Sequence, residues 1–228
     1  MSKKNNNEEE VIVDVQEVYS KTESFIEKNS KNLSIFMVLV FVVFGGYYAY
    51  KNLYQAPLEK EASEAIWKAE YYMEIDSLDL AIEGDGNYFG LGYIADEYSS
   101  TATGNLAKYY LGTIYLKKGE YQLAIDYLTS VSFDDEVIGA VALGATGDAY
   151  VELGNYNKAV SYFKKAVAHS ANDFTTPLYL MKEAMVQEEL GNFDDALDNY
   201  KRIQKDFPNA SQARDIEKYI AKASAYIG

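Results

Sequence analysis

Hydrophobic and polar positions along the chain follow three regimes. Residues 33–50 read LSIFMVLVFVVFGGYYAY without a charge, bracketed by Lys31 and Lys51. At about 1.5 Å per residue such a helix covers most of a hydrocarbon layer roughly 30 Å thick, and the flanking lysine stems complete it. A soluble core helix would carry a polar stripe, and this run has none. Tyr47, Tyr48, Tyr50 and Tyr54 gather at its exit, as interfacial aromatic anchors do. One transmembrane helix over 33–50 is therefore expected. Ahead of it lies a polar tail, residues 1–32, whose start (SKKNNNEEE) reads as disordered. Within the tail Val11, Val15, Val18, Thr22 and Phe25 recur at spacings of four and three, one face of a short amphipathic helix. That face suits packing on a partner helix, lying on a membrane surface, or simple extension of the span. A cleaved signal peptide starts its apolar region close to the basic start and ends it in a small-x-small site. Here a long polar tail comes first and tyrosines occupy the exit, so an uncleaved anchor is expected.

Residues 58–228 form the third regime, in which helical periodicity repeats. Gly112, Tyr115, Gly119, Tyr121 and Ala124 recur at one constant interval as Gly147, Tyr150, Gly154, Tyr156 and Ala159. A third copy has Ala184, Gly191, Phe193, Ala196 and Tyr200, closed by Pro208. Leu128, Phe163 and Tyr200 occupy one equivalent place. Each recurrence has a mechanical reason. Gly119, Gly154 and Gly191 stand where a left-handed residue ends a first helix and reverses the chain. Gly112, Gly147 and Ala184 are small enough for a second helix to approach. Tyr121, Tyr156 and Phe193 open the second helices, and Ala124, Ala159 and Ala196 mark tight crossings. Pro208 forbids continuation. Such helix pairs cannot bury their faces alone and must stack, which predicts an all-α solenoid with a concave surface.

The pattern resembles the tetratricopeptide-repeat (TPR) family over three copies, about 105–138, 140–173 and 177–210. The third departs from it, with Glu183 and Gln187 where an apolar residue and a tyrosine are usual, which predicts a less deeply packed first helix. A looser fourth unit is read ahead of these, with Trp67 in a first helix over 58–82 and a second over 93–98. An amphipathic helix over 211–226 caps the open end. The layout of tail, span and repeats is similar to the YfgM type of ancillary protein-translocation subunit in Gram-negative bacteria. That resemblance implies a single-pass protein of the cytoplasmic (inner) membrane, its tail in the cytoplasm and its repeats in the periplasm. The lysines do not decide this, since Lys21, Lys28 and Lys31 balance Lys51, Lys60 and Lys68 across the span.

Composition narrows the function classes. Lys plus Arg number 21 against 35 Asp plus Glu, a net charge of −14, with most of the excess beyond the tail. A nucleic acid would be repelled by that field. The chain has no cysteine, which removes disulfides, thiolate nucleophiles and Cys-based zinc sites. A single histidine, His169, makes no two-His metal site and reads as an exposed residue near a helix end. Asp85, Asn87, Gly90 and Asp96 fall on calcium-loop spacing, but Phe89 stands where an oxygen ligand belongs, so a plain interhelix loop is expected. Asp134–Asp135 and Asp194–Asp195 sit at helix starts, where carboxylates favour the dipole.

Some TPR domains grip a partner's terminal carboxylate through basic and amide side chains on the first helices. The corresponding positions here are Tyr109, Thr113 and Leu116, then Gly144, Asp148 and Val151, then Met181, Met185 and Glu188, without a basic clamp. An apolar, Met- and Tyr-bearing groove able to take varied polypeptides is expected instead. The expectation is a membrane-tethered adaptor or chaperone, not an enzyme. It needs no cofactor, metal or small-molecule substrate, and its partners are translocon subunits or exported polypeptides. The alternative is a structural scaffold subunit of a membrane complex that binds no clients.

Overall fold

The computed structural model describes residues 7–169 and 171–227, with side chains from Val18 onward. The protein is all-helical, with 81% of its residues in helix. Among the described residues the only β-type pairing is an isolated bridge between Gly84 and Phe89. The chain divides into two compact units, Met1–Pro57 and Leu58–Gly228.

In the first unit α1 runs from Asn7 to Ala49 and gives way to a π-helical turn over Tyr50–Gln55. The amphipathic stretch and the apolar run therefore lie on one helix. The expectation of disorder at the start is corrected from Asn7 onward, where helix has begun; residues 1–6 lie outside the described residues. One stretch near the N-terminus is long and apolar enough to cross a membrane, and none of its apolar window is buried. Val18 and Phe25 are exposed too, while the side chains of Val11 and Val15 lie outside those described.

The second unit is a series of helix hairpins. Its helices are α2 (Ala56–Glu74), α3 (Leu78–Glu83), α4 (Leu91–Glu97), α5 (Ala102–Lys117), α6 (Tyr121–Thr129) and α7 (Glu136–Glu152). There follow α8 (Tyr156–His169), α9 (Thr176–Glu189), α10 (Phe193–Asp206), a 3-10 turn at Ser211–Ala213, and α11 (Ile216–Ile227). From α4 to α11 each helix packs on the next. Caps set several starts: the Thr101 hydroxyl accepts from the Gly104 amide, and the Asp135 carboxylate from those of Val137 and Ile138.

The hairpin turns share one hydrogen-bond pattern. Gly119 has φ +78°; its amide donates to the Leu116 carbonyl while that of Glu120 reaches back to Tyr115. The same pair of bonds forms at Gly154–Asn155 and Gly191–Asn192. This pair of hydrogen bonds closes a helix around a left-handed residue. A fourth instance lies at Asp76, φ +59°, where Asp76 and Ser77 donate to Met73 and Tyr72. The first helix of the looser unit thus stops at Glu74 instead of running over 58–82. Asp and Asn tolerate this conformation better than other side-chain-bearing residues, so an Asp can do the work of the glycine. Counted from Asp76, Ala69 and Ala81 take the small-residue places of Gly112 and Ala124, and both are fully buried. The second helix of this unit is split into α3 and α4 by the loop 84–90.

The small residues lie where helices touch. A Cβ on Gly112 would meet Leu128 at 2.6 Å, and one on Gly147 would meet Phe163 at 2.6 Å. Ala184 and Tyr200 share the core of the last hairpin with Leu180, Ile203 and Ile216. The first helix of that hairpin is not loosely packed: Glu183 and Gln187 are both buried. Gln187 accepts from Asn192 at 2.8 Å, and Glu183 lies 3.9 Å from Lys164. Burial pushes the Glu183 carboxyl up, partly offset by a bond from Asn199 and by Lys164.

Candidate functional site

The first helices α5, α7 and α9 bring part of the expected groove together. Leu116 of α5, Tyr121 of α6, Asp148, Val151 and Glu152 of α7, and Lys182 of α9 line an open cleft of about 370 Å³. Within this lining Lys182 Nζ lies 2.7 Å from both oxygens of Asp148. Burial pushes the Asp148 carboxyl up while the Lys182 bond pulls it back. Tyr121 bonds to Glu152, which raises its hydroxyl. The walls are thus apolar at Leu116 and Val151 and charged at Asp148, Glu152 and Lys182.

The other candidates are placed differently. Gly144 is covered by the Tyr179 ring, which would stand 2.0 Å from an added Cβ. That ring is buried, and burial followed by the charge of Asp148 pushes its hydroxyl up. Tyr109 is half-buried, edge-on to Phe133 with centroids 5.8 Å apart. The Thr113 hydroxyl donates to the Tyr110 carbonyl at 2.8 Å. Met181 packs against the core around Leu180, whereas Met185 is exposed. Glu188 accepts from Lys222 of α11 at 2.6 Å. Leu116, Asp148 and Val151 therefore share the cleft, and Tyr121, Glu152 and Lys182 join them. Lys182 is Met181's neighbour in sequence, and its long stem is the signal that it can reach a face its backbone does not present.

The remaining candidates have structural partners. The Asp85 carboxylate accepts from the amides of Asn87 and Tyr88 at 2.9 and 2.8 Å and from the Tyr72 hydroxyl at 2.7 Å. These bonds hold Asp85 below the usual carboxylate range, the Tyr72 bond first, and push Tyr72 up to about 12. Asp85 thus ties the loop 84–90 to α2. His169 ends α8, is exposed, and lies 3.0 Å from the Asp135 carbonyl. No group of three or more metal-ligating side chains occurs among the described residues.

A family model described as "T7SS, ESX-1 secretion system protein EccA1, N-terminal domain" matches residues 80–218. No curated protein matches the chain. The match corrects the relationship expected from the repeat: it is to this secretion-system family, not to the TPR family or its YfgM-type members. The recurring small residues and turn glycines are what close helix hairpins demand of any sequence, so they mark packing and not descent. The orientation that rested on the YfgM resemblance loses its support with it. The match runs from α3 into α11 and leaves out the apolar N-terminal helix. Over more than half of its length, then, the chain belongs to the family of the ESX-1 secretion system protein EccA1, N-terminal domain.

Proposed function

We propose that this protein is a single-pass, membrane-tethered adaptor. In this reading the run at 33–50 crosses the bilayer, and the helix hairpins beyond residue 58 stack as a solenoid that binds polypeptide segments. The observation that carries the reading is the cleft of Leu116, Val151, Tyr121 and the Asp148–Lys182 pair, built from three successive hairpins. Its apolar walls suit a side chain of an extended segment, worth roughly 1.5–3 kcal/mol when buried. The ion pair in its wall offers both a donor and an acceptor to a peptide backbone. The family name belongs to a secretion-system protein, which supports secretion components or secreted chains as the partner class.

The test is a photo-crosslinking residue at Tyr121 in the full chain in its native membrane, repeated with Val151→Asp and with the crosslinker moved to exposed Asp198. A discrete polypeptide adduct from Tyr121 that Val151→Asp abolishes and Asp198 does not reproduce supports the adaptor. Equal yields from both positions, or an adduct indifferent to Val151→Asp, would overturn it.

A further inference from the structure

In the looser hairpin that opens the second unit, Lys68 of α2 sits among four aromatic rings. Its Nζ lies 4.5 Å from the centroid of Tyr71, 5.0 Å from Tyr72, 5.5 Å from Trp67 and 5.7 Å from Tyr88. Trp67 and Tyr88 meet edge to face at 5.4 Å, which joins the loop 84–90 to the helix. The Asp85 carboxylate, fixed by Tyr72 and two loop amides, lies close enough that the charge of Lys68 is the last of the causes that hold it below the usual carboxylate range. A ring face carries negative potential, so rings around one point with a carboxylate nearby form a cation site. The site is open as well: Trp67, Tyr71 and Tyr88 are 50%, 44% and 46% exposed. Three large aromatics left together at the surface are costly unless something covers them, and such residues dominate binding hot spots.

We propose that this aromatic box binds an arginine side chain of a protein partner, with the chain's own Lys68 as the occupant that the arginine displaces. Lys68 marks the chemistry of the site by filling it with a cation. An ammonium is compact and strongly hydrated, and it returns to water readily. A guanidinium is planar and weakly hydrated, and it stacks on exposed ring faces. The net charge of −14 favours a basic segment approaching this surface. Lys68 then acts as an internal competitor that holds the cation's place until the partner arrives.

Trp67 is the only tryptophan in the chain, so its fluorescence reports on the box alone. The full chain in detergent micelles is titrated with acetyl-Gly-Arg-Gly-amide, with acetyl-Gly-Gln-Gly-amide and with tetramethylammonium. The arginine peptide should alter Trp67 emission saturably, and the glutamine peptide should not. Lys68→Gln should tighten the arginine peptide by about fivefold, and Tyr88→Leu should weaken it by about as much, with the far-ultraviolet circular dichroism unchanged. Lys68→Gln that binds no more tightly than the native chain overturns the proposal, because the lysine would then be no competitor. So does a glutamine peptide that binds as well as the arginine peptide. Tighter binding of tetramethylammonium than of the arginine peptide overturns the protein source in favour of a choline headgroup.

Discussion

Replacing Gly147 by alanine turns the helix packing into a question of sign. Gly147 lies inside α7, where alanine in place of glycine normally stabilises by about 0.8–1 kcal/mol. Against this, the new Cβ would stand 2.6, 2.8 and 3.1 Å from three atoms of the Phe163 ring. The ring is 1% exposed and stacks on the Tyr179 ring, so a shift away from the new Cβ disturbs that packing. Overpacking of this kind costs about 1–3 kcal/mol, so the cost outweighs the propensity gain. The difference is a net loss of up to about 2 kcal/mol, which should lower Tm by up to roughly 8 °C in a domain of this size. The assay is thermal unfolding of the full chain in detergent, followed by circular dichroism. A second measurement fixes the cause: on a Phe163→Leu background the same substitution should cost less, with a coupling of about 1 kcal/mol. Gly147→Ala more stable than the native chain by the full propensity gain, with no coupling to Phe163→Leu, would refute the contact between α7 and α8.

Three further outcomes are expected. Burial holds the Glu183 carboxyl above the usual carboxylate range, so the fold binds that proton more readily than the unfolded chain and stability falls as pH rises from the ordinary glutamate value through the raised one. Glu183→Gln should therefore be more stable than the native chain to urea at neutral pH, with the difference closing in acid; equal stability at neutral pH would contradict it. Asp76→Val places a β-branched residue at φ +59° and should cost about 1–2 kcal/mol, beyond any loss in Asp76→Gly, which removes the same exposed ion pair with Lys117 without the strain. A valine variant that unfolds with the glycine variant would show that the turn is not set as described. Val40→Asp with Val43→Asp charges the centre of the apolar run, at about 2.5–3.5 kcal/mol for each carboxylate, and should release the chain from membranes under carbonate washing. Retention equal to the native chain would remove the membrane-crossing assignment.

What was legible in the sequence was what the backbone requires. Gly119, Gly154 and Gly191 adopt positive φ, and residues without bulk, such as Gly112 and Gly147, face Leu128 and Phe163 across the hairpin. Few residue types satisfy either condition, so the requirement leaves a visible trace. The earliest hairpin obeys the same rules with other residues. Asp76 supplies the left-handed turn, Ala69 and Ala81 the close approach, and the loop 84–90 lengthens the interval to the next unit. A search keyed to glycine at a constant period passes over it. Glu183 and Gln187 were hidden for a different reason: a polar side chain reads as a surface position unless its partners, here Lys164 and Asn192, are known from the fold.

The cleft was harder to read than the hairpins because its chemistry depends on how far side chains reach, which register alone does not encode. Counting helical positions selected Gly144 and Met181, yet Tyr179 covers the first and the core around Leu180 takes in the second. Lys182, one residue further on, extends to Asp148 and puts a charge pair in what the pattern described as an apolar groove. The same reasoning applies to Lys68, which reads as one lysine among several in the sequence and becomes the occupant of an aromatic box only when the loop 84–90 brings Tyr88 to it. In both places a long cationic stem carries its charge to a group on another element, Asp148 of α7 and Tyr88 of the loop. The hairpin positions therefore carry architecture, which any family built this way must share. The lysines that cross between hairpins, or from a helix to a loop, are the residues from which partner chemistry can be argued.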